Sequence, residues 1–250
     1  MLTAPRRALA RFTERSVLGL LAVLAIGAAF GLLLLLVRAE WAPLHALDQD
    51  TAADLNAVVS RHEPVAATLR AISELGNRLL MAGLVGVVAA VLLIRREHRL
   101  ALYLVVTGVG ALLLDPSLKA LVGRLRPVVD SPVSSAPGAS FPSGHALGTV
   151  VAYGAVLLVL LPALRPLRRR VAITVWVVLV VLVGFTRIAL GVHFVSDVLG
   201  GWLLGLAWLG IIAHAFRLWQ RDRGRPTPPV TDGLSPSAAA DRRGRVGLQY

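Results

Sequence analysis

The chain has 250 residues, 56% of them hydrophobic, no cysteine, and a formal net charge of +12. A soluble domain carries about 45–50% apolar residues, and the excess here is gathered into long blocks, which excludes an ordinary soluble enzyme. The absence of cysteine excludes a disulfide framework, a cysteine-ligated metal and a thiol nucleophile, and the low aromatic content leaves the basic residues without the stacking platform a nucleic-acid binder uses.

Residues 1–16 read as a basic cytoplasmic leader carrying Arg6, Arg7, Arg11 and Arg15. Residues 17–37 are the first spanning helix. This apolar run exceeds the roughly 7–15 residues of a signal-peptide core, so it reads as an uncleaved anchor. Residues 46–60 and 64–75 repeat Leu and Val at three- and four-residue spacing with acidic and basic residues between, the pattern of amphipathic helices on a membrane surface. Residues 79–94 form a short second span, and 100–114 a third. Asp115-Pro116 has the form of an N-cap followed by proline at the first helical position, which predicts a short interfacial helix through Lys119. Residues 128–140 are a loop rich in Pro, Ser and Gly. Residues 144–164, 171–190 and 195–216 are the last three spans. The tail, 217–250, is rich in Arg, Pro, Gly and Ser beyond residue 220 and is too polar to fold alone.

The prediction is an all-α protein: one six-helix membrane domain over 17–216, with amphipathic helices on its outer side. An even number of spans puts both termini on one side. Fifteen basic residues then lie on that side, between Arg6 and Arg225, against eight on the other. Positive charge marks the cytoplasm, so both termini are expected inside. The small size and arginine bias point to a bacterial plasma or inner membrane. The net charge is thus mainly a topology signal.

Three polar clusters fall at the outer ends of spans three to six, all on the same side. The first is Lys119-x6-Arg126-Pro127. Lysine offers a mobile point charge and arginine a planar fork for two phosphate oxygens. The second is Pro142-Ser143-Gly144-His145. Ser143 is a plausible N-cap, the free amides behind it point at anions, Gly144 admits a phosphate close to the backbone, and His145 stands where it can give a proton to a leaving oxygen. The third is Thr186-Arg187-x5-His193-x3-Asp197. His193 and Asp197 share a helix face, so the carboxylate can fix the imidazole tautomer and leave the other nitrogen free to attack. Singly, each has a plainer reading: basic side chains snorkelling to lipid heads, a simple serine cap, a polar link between helices. Jointly they suit a phosphate dianion and its transition state. No cluster of carboxylates offers a Mg2+ site, so metal-independent chemistry without a cofactor is expected. Gly144-x3-Gly148 and Gly201-x3-Gly205 would let spans four and six pack closely and bring His145 to His193.

These three motifs, in this order and spacing, resemble the signature of the type 2 phosphatidic acid phosphatase superfamily, and the six-span layout resembles its membrane branch. The third motif usually opens with Ser-Arg, and Thr186 stands here instead. The resemblance implies that His193 is the nucleophile and forms a phosphohistidine. Asp197 would orient it, and His145 would protonate the leaving group and then activate water. Lys119, Arg126, Arg187, Ser143 and Gly144 would hold the phosphoryl oxygens. The expected substrate is a lipid phosphate or diphosphate at the outer leaflet: undecaprenyl diphosphate first, phosphatidylglycerophosphate or phosphatidate close behind. A phosphotransferase with an alcohol acceptor, and a non-catalytic lipid-phosphate binder, are the other readings. The implied partners are the substrate lipid and the bilayer, with no nucleic acid.

Overall fold

The computed structural model describes residues 4–222, with side chains from 17 to 220. It contains eight α-helices and, among the described residues, no strand: α1 (Ala4–Arg38), α2 (Ala42–Val59), α3 (Glu63–Glu74), α4 (Arg78–Ile94), α5 (His98–Val122), α6 (Gly144–Leu160), α7 (Pro166–Ala189) and α8 (Val195–Asp222). Among the described residues six stretches are long and apolar enough to cross a membrane, α3 and α4 counting together as the second (Glu63–Ile94), which gives the six-span layout expected.

The bundle is built around α6. In the most apolar window of that helix 67% of residues are buried, against 6% for α1, which lies on the outside along α8. A helix that is apolar all round belongs in the middle, and α6 meets α4, α5, α7 and α8. Large apolar side chains such as Leu24, Leu79, Val87, Leu113 and Val175 point outward, as lipid-facing positions should.

The backbone is helical from Ala4, so the residues expected as a leader are, from there on, continuous with the first helix. At the other end α8 continues to Asp222, so the first residues of the expected tail are helical and the rest lie outside the described residues. α4 starts at Arg78, where the Asn77 side chain accepts a hydrogen bond from the Leu79 amide at 2.9 Å.

One expectation is corrected. Asp115-Pro116 does not start a new helix; α5 runs through both to Val122. The missing N–H of Pro116 is tolerated inside the helix, and the Ser117 hydroxyl bonds the Leu113 carbonyl one turn back at 2.8 Å. Asp115 is buried rather than capping, and it takes Arg78 and Lys119 as partners. The α5 helix ends at Gly123, whose φ of 65° is the left-handed conformation that favours glycine, and whose amide bonds the Lys119 carbonyl at 2.9 Å.

α2, α3, the 124–143 segment and the 190–194 turn gather at one end of the bundle. Asn56 of α2 donates to the Ser131 carbonyl at 3.0 Å and Arg70 of α3 to the Val133 carbonyl at 3.2 Å. The amphipathic helices therefore tie down the long loop over the site.

The small-residue patterns work by halves. A Cβ on Gly201 would lie 2.6 Å from the Ser143 carbonyl oxygen, and one on Gly205 3.0 Å from Val150 Cβ, so the α8 pair does seat against α6. The α6 pair faces elsewhere: Gly144 meets Asp115 of α5, and Gly148 meets Met81 of α4.

Candidate active site

The left-handed turn at Gly123 sends the chain from α5 across the end of the bundle. Arg126 lands at the mouth of the site. Its Nη1 donates to the Val192 carbonyl at 2.7 Å and faces His193 Nε2 at 3.2 Å, while Nε and Nη2 bond the carbonyls of Gly138, Pro137 and Ala139. Arg126 is therefore not a wholly free fork. It clamps the loop and presents one edge, Nη1, to His193.

The tautomer of His193 follows from its neighbours. A guanidinium only donates, so Nε2 must be the acceptor for Arg126. His193 Nδ1 lies 3.3 Å from Asp197 Oδ2 and must carry the hydrogen. Asp197 is fixed on both oxygens: Oδ2 also accepts from the Phe194 amide at 2.9 Å, and Oδ1 from Arg124 at 2.8 Å. Burial pushes the His193 ring down to about 4 from 6.5, against the opposing pull of Asp197 and with help from Arg126 and Arg187. The ring is neutral near neutral pH, and its Nε2 lone pair is available when Arg126 shifts to another acceptor.

Ser143 caps α6, its hydroxyl accepting from the Ala146 amide at 3.5 Å, while its own amide donates to the Asp197 carbonyl at 2.9 Å. It is fully buried and does not line the cavity described below. The amides of Gly144 and His145, which do border that cavity, have no protein acceptor among the described residues. Neither ring nitrogen of His145 has a protein partner among them either, and the ring rests against Gly76, where a Cβ would lie 3.0 Å from His145 Cδ2. Arg187 is buried, donates from Nη1 to Ser73 Oγ at 2.7 Å and keeps Nε unpartnered. The Thr186 hydroxyl is spent on the Val183 carbonyl at 2.7 Å.

A cavity of about 540 Å³ joins these groups. Lys119, Arg126, His145, Arg187 and His193 line its polar end, and Asp115 and Arg78 border it. It then continues between α4, α5 and α6 along Met81, Val85, Val105, Val109, Val151 and Ala152. One space thus offers cations and imidazoles at one end and an apolar groove at the other, the form that suits an amphiphile with an anionic head.

The sequence reading missed a second tier behind the site. Arg124 donates from Nη1 to Asp197 Oδ1 and to Ser196 Oγ, and from Nη2 to Asp48 Oδ2 at 2.8 Å. Asp48 lies on α2, is fully buried, and also accepts from the Ser196 amide at 3.0 Å. The Arg124 guanidinium stacks 4.3 Å over the Phe194 ring. Nothing in the local pattern separates Asp48 from the exposed acidic residues around it, because its burial depends on α2 docking against α8. Ser73 beneath Arg187 is likewise invisible until α3 meets α7.

With this geometry established, comparison with known proteins places the chain. Residues 99–221 match the PAP2 superfamily. Phosphatidylglycerophosphatase B of Bacillus subtilis is 33% identical over 160 residues, covering 63% of this chain and 78% of that protein. The chain belongs to the PAP2 superfamily. An undecaprenyl-diphosphatase of Sulfolobus acidocaldarius is 33% identical over 132 residues, 51% of this chain and 60% of that one. Among solved structures, the transmembrane PAP2 type phosphatidylglycerolphosphate phosphatase from Bacillus subtilis superposes with a TM-score of 0.65 at 28% identity, over 74% of this chain and 92% of its own.

Proposed function

We propose that this protein is a membrane lipid phosphatase that removes the terminal phosphate of an undecaprenyl diphosphate- or phosphatidylglycerophosphate-like lipid through a phosphohistidine. The observation that carries this reading is His193: its Nδ1 faces Asp197, its Nε2 faces Arg126, and the residue lines a cavity that is cationic at one end and apolar at the other. The names of the two similar proteins support the same substrates.

In the first step, the His193 Nε2 lone pair forms a bond to the terminal phosphorus while the phosphorus–oxygen bond to the leaving group breaks. His145 gives its proton to that oxygen as it leaves. Asp197 offsets the positive charge that grows on the imidazole. In the second step, water attacks the phosphohistidine, His145 takes its proton, and inorganic phosphate leaves with His193 neutral again. Lys119, Arg126, Arg187 and the Gly144 and His145 amides face the phosphoryl oxygens and stabilise their charge. The phosphoryl position is bordered by Lys119, Arg126, Arg187 and two imidazoles, and the nearby Asp115 carboxylate is taken up by Arg78 and Lys119, so charge compensation from the protein, without a divalent ion, is the expected mode.

The basic turns at 95–99 and 165–170 lie at the opposite end of the bundle from the site. With positive charge inside, the site faces the periplasm or cell exterior, and the lipid enters from the outer leaflet. Protein purified in detergent with EDTA should release phosphate from a prenyl diphosphate, and His193→Ala should not. Products that carry phosphate on an added alcohol would favour a phosphotransferase. No turnover of any lipid phosphate would leave only the binding reading.

A further inference from the structure

Among the described residues four lysine and arginine side chains line the cavity: Lys119, Arg126, Arg187 and Arg78. In the reading above the first three hold the transferred phosphoryl group. Arg78 lies apart, at the first residue of α4. Resting on the phosphatase reading above, we propose that Arg78 is the subsite for the lipid-proximal phosphate of a lipid diphosphate, and that it sets a preference for diphosphates over monophosphates.

Three placements carry the argument. The first is along the helix. Arg78, Met81, Ala82 and Val85 are separated by three, four and seven residues, so they share one face of α4, and all four line the cavity. A lipid tail lying on Met81 and Val85 puts its first charged group beside Arg78, about 10 Å above Val85 at the helical rise.

The second is across the cavity. Arg78 Nη2 and Lys119 Nζ bond the same oxygen, Asp115 Oδ2, at 2.7 and 3.2 Å. The two cations therefore stand side by side, close enough for two phosphates joined by one oxygen to engage one each. A phosphate held by Lys119 has its neighbouring phosphate at Arg78. Asp115 is no obstacle: it is buried, its second oxygen is 3.0 Å from Lys119 Nζ, and its carboxylate packs against Gly144. One carboxylate between two cations leaves excess positive charge facing the cavity. Arg78 is 59% exposed, and its Nε and Nη1 have no acceptor among the described residues.

The third is the side of attack. His145, the proton donor in the reading above, rests against Gly76, two residues before Arg78. The leaving group therefore departs toward the start of α4, away from His193. With a diphosphate the leaving group is a lipid monophosphate, and negative charge grows on it as the bridging bond breaks. Arg78 stands where that charge develops. With a monophosphate the leaving oxygen takes its proton from His145 and departs as an alcohol, with no second phosphate for Arg78 to hold.

The test pairs farnesyl diphosphate with farnesyl monophosphate, which share a tail, in detergent with wild type, Arg78→Gln, Arg78→Lys and His193→Ala. Arg78→Gln should lower kcat/KM for the diphosphate by about 10- to 100-fold more than for the monophosphate, and Arg78→Lys should recover part of the difference. The variant's monophosphate turnover reports whether its site is assembled. An equal loss on both substrates means Arg78 acts only by holding Asp115 and Lys119, and overturns the subsite while leaving the phosphatase reading intact. An unchanged Arg78→Gln overturns it equally. If wild type releases no more phosphate than His193→Ala from either lipid, the phosphatase reading fails and the subsite with it.

Discussion

Arg124 and Asp197 are joined at 2.8 Å, and the same guanidinium holds Asp48 of α2 at 2.8 Å with its other nitrogen. One cation therefore serves two fully buried carboxylates, one of which orients His193. Leaving a buried charge without its partner costs about 3–5 kcal/mol, and Arg124→Leu strands two. It should lower the melting temperature in detergent and reduce kcat by about 100-fold or more, since the Asp197 carboxylate loses its anchor. Asp48→Asn keeps the shape and the Arg124–Asp197 bond, so its kcat should fall by no more than about tenfold. If both variants lose activity equally, the anchor lies in α2 docking rather than in Arg124.

The pH dependence of His193 follows from its burial. The ring is held down to about 4, so it is neutral well below the ordinary 6.5. The folded state prefers the neutral ring, so the associated stability is fully present above 6.5 and is lost as pH falls through that value toward about 4. Titration of the histidine side-chain resonances by NMR should show one imidazole, absent from His193→Ala, with its midpoint near 4. Asp197→Asn removes the influence that raises this value and should move the midpoint lower still. A midpoint near 6.5 would mean the ring is not buried as described.

Much of this was legible in the sequence because the informative signals are periodic or tightly spaced. Blocks of apolar residues report spans, and Lys119, Arg126, His145, Arg187, His193 and Asp197 stand at fixed offsets at the ends of those spans. What was not legible depends on helices meeting. Asp48 and Arg124 find each other across 76 residues, and Ser73 finds Arg187 across 114. Asp115-Pro116 misled for a different reason. The same dipeptide starts a helix in water and continues one where a buried carboxylate has cations from α4 and α5 to hold. Ser143 was legible as a cap, but its burial away from the cavity was not, because that depends on Asp197 accepting its amide.

The two glycine pairs predict opposite responses to the same substitution. A Cβ on Gly201 would meet the Ser143 carbonyl at 2.6 Å, a backbone atom that is itself bound up in the start of α6. A Cβ on Gly148 would meet Met81 Cε at 2.4 Å, the free end of a flexible side chain. Alanine gains about 0.5–1 kcal/mol over glycine within a helix, and a forced separation of packed helices costs about 1–3 kcal/mol. Gly148→Ala should therefore leave the melting temperature equal or higher, and Gly201→Ala should lower it. Equal shifts in thermal unfolding would mean that α8 does not seat on α6 through Gly201.

Arg126→Lys separates charge from geometry at the mouth of the site. Lysine keeps a positive charge but cannot reach three directions at once. Arg126 uses its donors on the carbonyls of Pro137, Gly138 and Ala139 on one side, and on Val192 and His193 on the other. The substitution releases the loop from the 190–194 turn as well as removing the fork proposed to hold the phosphate. KM should rise as the loop loosens, and kcat/KM should fall by about 100-fold or more, the scale of one lost transition-state donor. A loop deletion cannot rescue this, because the Val192 and His193 contacts are lost too. Hydrogen exchange in the 128–140 segment should quicken in the same variant. If exchange is unchanged while activity falls, Arg126 serves the phosphate alone; if exchange quickens and activity holds, the loop clamp is independent of catalysis.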